Sequence, residues 1–298
     1  MNARPHVPLR THRSTTTRYG AALNAGSRRK LKRIAAAALA RARLLGPAFR
    51  LYESALALLD RGPEPDPRAV GALPLPPRKL RVRVAGMASA QWFLDSGELI
   101  VRAMEQALDD AGTSLSGQVK VLEFGSGCGR VMRHLEKHDG RLYGTDYSTD
   151  QIEWSRRNLP FATFDLNGTG PPLRYADESF DLVYAISVFT HMTEAEQRSW
   201  LEEIGRVVRP GGFVLFTTHG QAYRERLDEN EAARFDAGEL VVRRSELSGT
   251  NLCATFHPER YVRERLTPAG FWVSAFLPQS AVLQDVYVLT KTPTPGGP

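Results

Sequence analysis

The stretch Val121-Leu122-Glu123-Phe124-Gly125-Ser126-Gly127-Cys128-Gly129-Arg130 constrains the fold of this chain more than any other. An apolar run ends in an acid, three alternate glycines follow, and Val131, Met132 and Leu135 then recur at helical spacing. The pattern predicts a strand, a sharp turn and an amphipathic helix. Glycines let the backbone turn tightly and let a ligand approach with no Cβ in the way. A helix beyond them would offer free N–H groups and a positive dipole end to an anionic group. A second apolar run, Leu142-Tyr143-Gly144-Thr145-Asp146, also ends in an acid. An acid about 20 residues beyond the glycines is the ribose-hydroxyl ligand of nucleoside-binding βαβ units. This spacing fits either a nicotinamide site or a methyl-donor site.

Two further segments separate those readings. Phe180-Asp181-Leu182-Val183-Tyr184-Ala185-Ile186-Ser187-Val188-Phe189-Thr190-His191 and Leu201 to Phe216, with Val207-Val208-Arg209-Pro210-Gly211-Gly212 at its centre, resemble a fourth strand, fourth helix and fifth strand. Together with the first two they resemble the class I S-adenosylmethionine-dependent methyltransferases over roughly 119 to 219, and more loosely from about 80 to 291. The resemblance is nearest to bacterial members found beside sugar-polymer and glycosyltransferase genes. It implies an α/β, Rossmann-like sheet of seven strands, six parallel and one antiparallel, with helices on both faces.

Charge divides the chain unevenly. Residues 1–83 hold 18 of the 39 Lys and Arg but 4 of the 33 Asp and Glu, and no acid precedes Glu53. The overall +6 therefore belongs to the N-terminal region. Such a segment can dock on nucleic acid or anionic lipid, resemble an organellar transit peptide, or be a poorly ordered tail. The two cysteines, Cys128 and Cys253, stand far apart without ligand spacing, which fits free thiols in a reducing cytoplasm. No uncharged apolar run reaches the ~18 residues of a membrane span.

Along the chain, residues 1–27 lack an apolar period and read as disordered. Residues 28–45 predict a basic amphipathic helix, and a second helix runs to Asp60, so 1–62 form a basic N-terminal extension. Contact with a membrane surface or a protein partner is expected through residues 28–60. Six prolines between Pro63 and Pro77 mark 63–79 as a stiff linker, with the catalytic domain at 80–298. A helix is expected over 88–111, with Trp92, Phe93, Leu99, Ile100 and Met104 on its apolar side. Strands are expected near 119–124, 141–146, 161–165, 181–187, 212–218, 271–277 and 285–291. The polar stretch 220–256 interrupts the alternation after the fifth strand and reads as a substrate cap, with Glu239 to Val242 as an extra strand.

The resemblance implies S-adenosylmethionine as cofactor. It places Gly125, Ser126 and Gly127 beside the methionine and ribose, Glu123 at the ammonium end, and Asp146 and Tyr147 at the ribose. A carboxylate offers two oxygens to a diol. Arg130, a cation in the first predicted helical turn, needs a compensating anion: either the donor carboxylate, or Glu123 or a surface acid. Asp165 competes with Asn167 for the adenine amino group, with Leu166 against the ring. Ser187 ends the fourth strand at the methyl-transfer position, and His191 is read as helix-start packing. His219, directly after the fifth strand, and His257, before Pro258, are the candidate bases, and Asp285 is placed to orient a histidine or bind a hydroxyl.

No Cys/His/carboxylate cluster suggests a metal. Gly170-Pro171-Pro172-Leu173 does not supply the Asn/Asp-Pro-Pro-aromatic motif of amino-directed nucleic-acid methylation. The expected acceptor is a hydroxyl of a small molecule, sugar, glycan intermediate or secondary metabolite. The alternatives are an RNA methyltransferase docking through its basic arm, with nucleic acid the less expected partner, and a non-enzymatic donor-binding module.

Overall fold

A parallel sheet needs crossovers long enough for helices, and strands buried on both faces must be apolar throughout. The central strands meet both demands. In the computed structural model the described residues are 73–293, preceded by scattered positions between 51 and 59 that are helical. The expectations for 1–50, and most of those for the second N-terminal helix and the proline-rich linker, lie outside these residues.

Two helices, α1 (Arg78–Ala85) and α2 (Ala90–Asp110), precede the sheet. The sheet strands are β1 (Lys120–Phe124), β2 (Arg141–Asp146), β3 (Ala162–Leu166), β4 (Phe180–Ala185), β5 (Val208–Thr218), β8 (Phe271–Ala281) and β9 (Gln284–Lys291). Their order is β3-β2-β1-β4-β5-β9-β8, and only β9 runs antiparallel to its neighbours. All seven expected strands are present, in the expected mixed sheet. Helices α3 (Thr149–Asn158) and α4 (Glu194–Val207) return the chain between strands. In α4, the N-cap Thr193 and Glu196 form a reciprocal capping box that ends the loop after β4 sharply.

Two apolar clusters cover the sheet. One joins Ile100, Met104 and Leu108 of α2 to Val121, Leu182 and Leu215. The other joins Trp200, Leu201 and Ile204 of α4 to Leu122, Val183 and Phe216. Burial on α2 falls on Phe93, Gly97, Ile100, Met104 and Ala107, the 3–4 spacing of one helical face. Leu99 sits one position off that row and is exposed, contrary to its expected place on the apolar side.

The segment after the glycine loop is also different from expectation. Met132–Leu135 is a single 3-10 turn and not a helix. Val131, Met132 and Arg133 are all buried, so no solvent-facing stripe remains, and a Cβ at Gly97 of α2 would collide with the Arg130 carbonyl. The chain is wedged between α2 and the sheet. The dipole argument for anion binding therefore does not apply here.

The 220–256 insertion is folded. It contains a 3-10 turn at Gln221–Arg226, α5 (Glu229–Asp236), and the antiparallel pair β6 (Val241–Arg243) and β7 (Ala254–Phe256). Tyr223, Phe235, Val241 and Phe256 form its own apolar cluster. The extra strand expected near Val241 is β6.

Residues 73–77 pack on this domain, ahead of the expected boundary. Arg133 donates to the Leu73 and Pro74 carbonyls at 3.1 and 3.2 Å, and buried Arg81 donates to the Pro76 carbonyl at 2.7 Å. Leu75 joins Leu80, Phe93 and Cys128 in a small cluster. Cutting the chain at residue 78 strips acceptors from two buried guanidinium groups, at about 1.5–3 kcal/mol for a bond to a charged group. A chain beginning at 78 should melt at least about 5 °C below one beginning at 70, measured by differential scanning calorimetry.

Candidate active site

Most of the candidate groups lie at the carboxyl ends of β1 to β5, where open α/β sheets bind ligands, with Asp285 at the start of β9 and His257 buried beneath. The glycine loop is positioned first. Gly125, Gly127 and Gly129 have φ of +76°, +55° and +73°, in the left-handed region. A Cβ on Gly127 would lie 2.7 Å from the Val84 side chain of α1, and one on Gly125 would clash with Val188. Both positions need glycine before any ligand is considered.

Asp146 anchors this loop to β2. Its carboxylate accepts from Gly127 N–H at 3.0 Å and from Ser148 N–H at 2.8 Å. Each oxygen keeps a second lone pair, so the group can hold the loop and still accept from a diol. Glu123, buried at the end of β1, accepts from the Tyr184 hydroxyl at 3.1 Å, and burial pushes its carboxyl up to about 8. The chemistry of the loop fits a zwitterionic ligand. Arg130 is buried beside Glu123, makes no hydrogen bond among the described residues, and has an orphaned Nε; Ser126 Oγ is orphaned too. A carboxylate and an ammonium on one ligand would satisfy Arg130 and Glu123 together.

The adenine end is less open than the sequence suggests. Asp165 accepts from Arg174 at 2.9 Å and from the Tyr175 hydroxyl at 3.0 Å. Asn167 is held by the Thr145 hydroxyl and the Gly168 carbonyl. Both side chains are already engaged, because the long loop after β3 brings Arg174 and Tyr175 back over the strand end. Leu166 is half-exposed at this edge, and Tyr147 is exposed beside Asp146.

The insertion reaches this edge. The Tyr147 hydroxyl donates to the Gly249 carbonyl at 2.8 Å, and the Asn251 amide donates to the Arg83 carbonyl of α1 at 2.8 Å.

At the ends of β4, β5 and β9 lies a polar network. Ser187, with φ +59°, donates through Oγ to Gln284 Oε1 at 2.9 Å and through its N–H to Thr217 Oγ1 at 2.8 Å. Thr217 Oγ1 donates to the same Gln284 oxygen at 2.6 Å. Burial pushes the Tyr223 phenol up, with Gln284 nearby acting the other way. Sequence reasoning missed Thr217 and Tyr223. The polar pair ending an otherwise apolar strand, Phe216-Thr217-Thr218, was the available signal.

His219 follows this strand. Its Nδ1 lies 3.2 Å from the Thr255 carbonyl, which fixes that nitrogen as the protonated one and leaves Nε2 with a free lone pair. The ring stacks on Tyr223 at 4.1 Å, meets His191 edge-on at 6.3 Å, and is pushed down to about 3, chiefly by burial. His191 donates through Nδ1 to the Cys253 carbonyl at 2.7 Å, tying the turn after β4 to the insertion.

His257 is placed differently from expectation. It is wholly buried, with Nε2 2.9 Å from Gln197 Oε1, and the N-cap of the short helix Glu259–Tyr261 is Pro258. It packs under the site and has no route to an acceptor. Asp285 faces Thr218 across β5 and β9, and its carboxylate presses against the Cα of Gly220 while accepting from Gln279 N–H at 2.9 Å. It orients the loop below His219 and bonds neither histidine.

Residues 122–216 match the sequence profile of the family described as "Methyltransferase domain". The seven-stranded mixed sheet around that stretch is the Rossmann-like fold of class I methyltransferases.

Among similar proteins is Methyltransferase GfsG of Streptomyces halstedii, 32% identical over 40% of this chain and 42% of its own length. O-methyltransferase rstn1 of Aspergillus nomiae is 30% identical over 39% of this chain and 53% of its own. The tRNA N(3)-cytidine methyltransferase METTL2 of Gallus gallus is 22% identical over 58% and 48%. The chain thus spans about half the length of the curated relatives it matches. A solved structure of a putative S-adenosylmethionine dependent methyltransferase from Listeria monocytogenes shares the fold, with a TM-score of 0.50 and 13% identity over 67% of this chain and 99% of that one.

Two outcomes test the donor end. Asp146→Ala should weaken binding of S-adenosylmethionine by about 1.5–3 kcal/mol in calorimetry. Glu123 is protonated in the folded, donor-free chain between its ordinary value of 4.5 and about 8. The folded state therefore holds one proton more than the unfolded state there, and stability falls as pH rises through 8. Glu123→Gln should remove that alkaline loss, seen as a smaller drop in melting temperature between pH 6 and pH 8.5 than in the parent chain.

Proposed function

We propose that this protein transfers a methyl group from S-adenosylmethionine to a hydroxyl of a small molecule, such as a sugar, glycan intermediate or secondary metabolite. The observation that carries this reading is His219, a neutral imidazole with its tautomer fixed, at the carboxyl end of β5 two residues beyond Thr217 of the Ser187–Thr217–Gln284 network.

When bound, S-adenosylmethionine supplies a methyl on a sulfonium whose sulfur keeps the bonding pair. Arg130 and Glu123 hold the charged methionine end, and Asp146 holds the ribose while keeping the glycine loop against β2. Leu166 offers an apolar edge to the adenine. Ser187, Thr217 and Gln284 line the transfer position, and their mutual hydrogen bonds fix each side chain before the acceptor arrives.

His219 Nε2 takes the hydroxyl proton as the oxygen gains the methyl. Burial keeps His219 unprotonated above about 3 and equally lowers its basicity, so the step gains from any negative charge that the bound acceptor brings. The insertion supplies the Thr255 carbonyl and the Tyr223 ring on either side of it, which is the support for reading 220–256 as the acceptor cap. The O-methyltransferase among the relatives is consistent with a hydroxyl acceptor. The tRNA-directed relative keeps an RNA acceptor as the alternative.

His219→Ala should lower turnover by about 10²–10⁴ while donor affinity stays within about threefold, near 0.6 kcal/mol. The assay incubates a small-molecule extract with donor labelled in the methyl group and follows the rate of label uptake. A folded His219→Ala protein with unaltered turnover removes the base role.

A further inference from the structure

Arg226 is the odd arginine of the insertion. Arg224 is paired with Asp236, Arg234 with Glu239 and Arg243 with Glu231, while Arg244 donates to the Leu252 carbonyl. Arg226 has no carboxylate or carbonyl partner among the described residues. Its guanidinium lies 4.4 Å over the ring of Tyr223, whose centroid in turn lies 4.1 Å from that of His219. Tyr223 is thus in contact with both, and its ring bridges the imidazole and the guanidinium.

A cation there opposes the step assigned to His219. Accepting a proton makes the imidazole positive, and the Arg226 charge disfavours that imidazolium. Asp285 touches the Gly220 backbone and the Gln279 N–H and does not reach the ring. The arrangement becomes favourable once an anion sits on Arg226, because the anion removes the repulsion and adds attraction for the new positive charge. A guanidinium stacked on a ring has lost rotamer freedom in advance and offers its planar fork of N–H donors to a carboxylate or phosphate.

We propose that the acceptor carries an anionic group, a carboxylate or a phosphate, which docks on Arg226 beside the Tyr223 ring and apart from the methylated hydroxyl. This rests on the reading of the His219 edge as the acceptor site. Arg226 is thereby a specificity-determining residue that selects hydroxylated anions over neutral sugars of the same size.

The test uses the full chain, donor labelled in the methyl group and a small-molecule extract, with the products separated on an anion exchanger at pH 7. Labelled product should be retained. Alkaline phosphatase treatment should abolish retention if the anion is a phosphate monoester and leave it intact if it is a carboxylate. Arg226→Gln should raise the KM for the retained acceptor at least tenfold with kcat changed less than threefold, and Arg226→Lys should recover part of the loss. Labelled product in the unretained fraction overturns the proposal while leaving methyl transfer standing.

A second arm needs no turnover. Inorganic phosphate titrated into donor-loaded protein should shift the His219 ring resonances to saturation in the parent chain, and not in Arg226→Gln. Absence of label in every fraction counts against the methyl-transfer reading itself, and the phosphate titration then decides the anion site alone. No saturable shift in the parent chain overturns it.

Discussion

The bond from Gly127 N–H to the Asp146 carboxylate is the constraint on which the rest of the site depends. It adds a side-chain tie to the backbone bonds from Gly125 and Ser126 N–H to the Thr145 carbonyl, so the loop after β1 is fixed to the end of β2 at three successive residues. Because Asp146 also accepts from Ser148, one side chain closes the loop and starts the turn into α3. The three glycines then hold left-handed angles that no other residue type would tolerate at comparable cost, and Val84 and Val188 press on them from outside. The donor site is a cradle of backbone, built by a carboxylate and enforced by close packing.

The ends of β4 and β5 are built on another rule. Ser187, Thr217 and Gln284 satisfy one another through shared hydrogen bonds, and the Thr255 carbonyl fixes the tautomer of His219. A buried polar network that is complete without a ligand is rigid, and a rigid network needs little reorganisation when charge moves through it. Arg130 and Ser126 on the donor side are the opposite case, with orphaned atoms that a ligand would complete.

Much of this was legible in the sequence, because strand ends are written locally. Glu123 and Asp146 close apolar runs, and the strand predictions near 121, 143 and 183 needed only the length and composition of those runs. The positions that went astray depend on distant partners. His257 looked like an edge histidine next to Pro258, yet its burial is set by Gln197 on α4, which no local pattern reveals. Asp165 looked free, but Arg174 and Tyr175 return to it from a loop whose path the sequence does not encode. The helix expected after Gly129 had the right apolar spacing and lost to packing, since burial on every side leaves no amphipathic stripe. Propensity is a weak prior where tertiary context is this tight.

The two hydrogen bonds that run from the insertion to Tyr147 and to the Arg83 carbonyl have a kinetic meaning. One segment of chain is tied to Tyr147 after β2, to α1 over the glycine loop and, through the Thr255 carbonyl, to His219. Under the function proposed above, freeing the cofactor edge would also loosen the histidine's tether, so that exchange of cofactor and disarming of the base would be a single mechanical event.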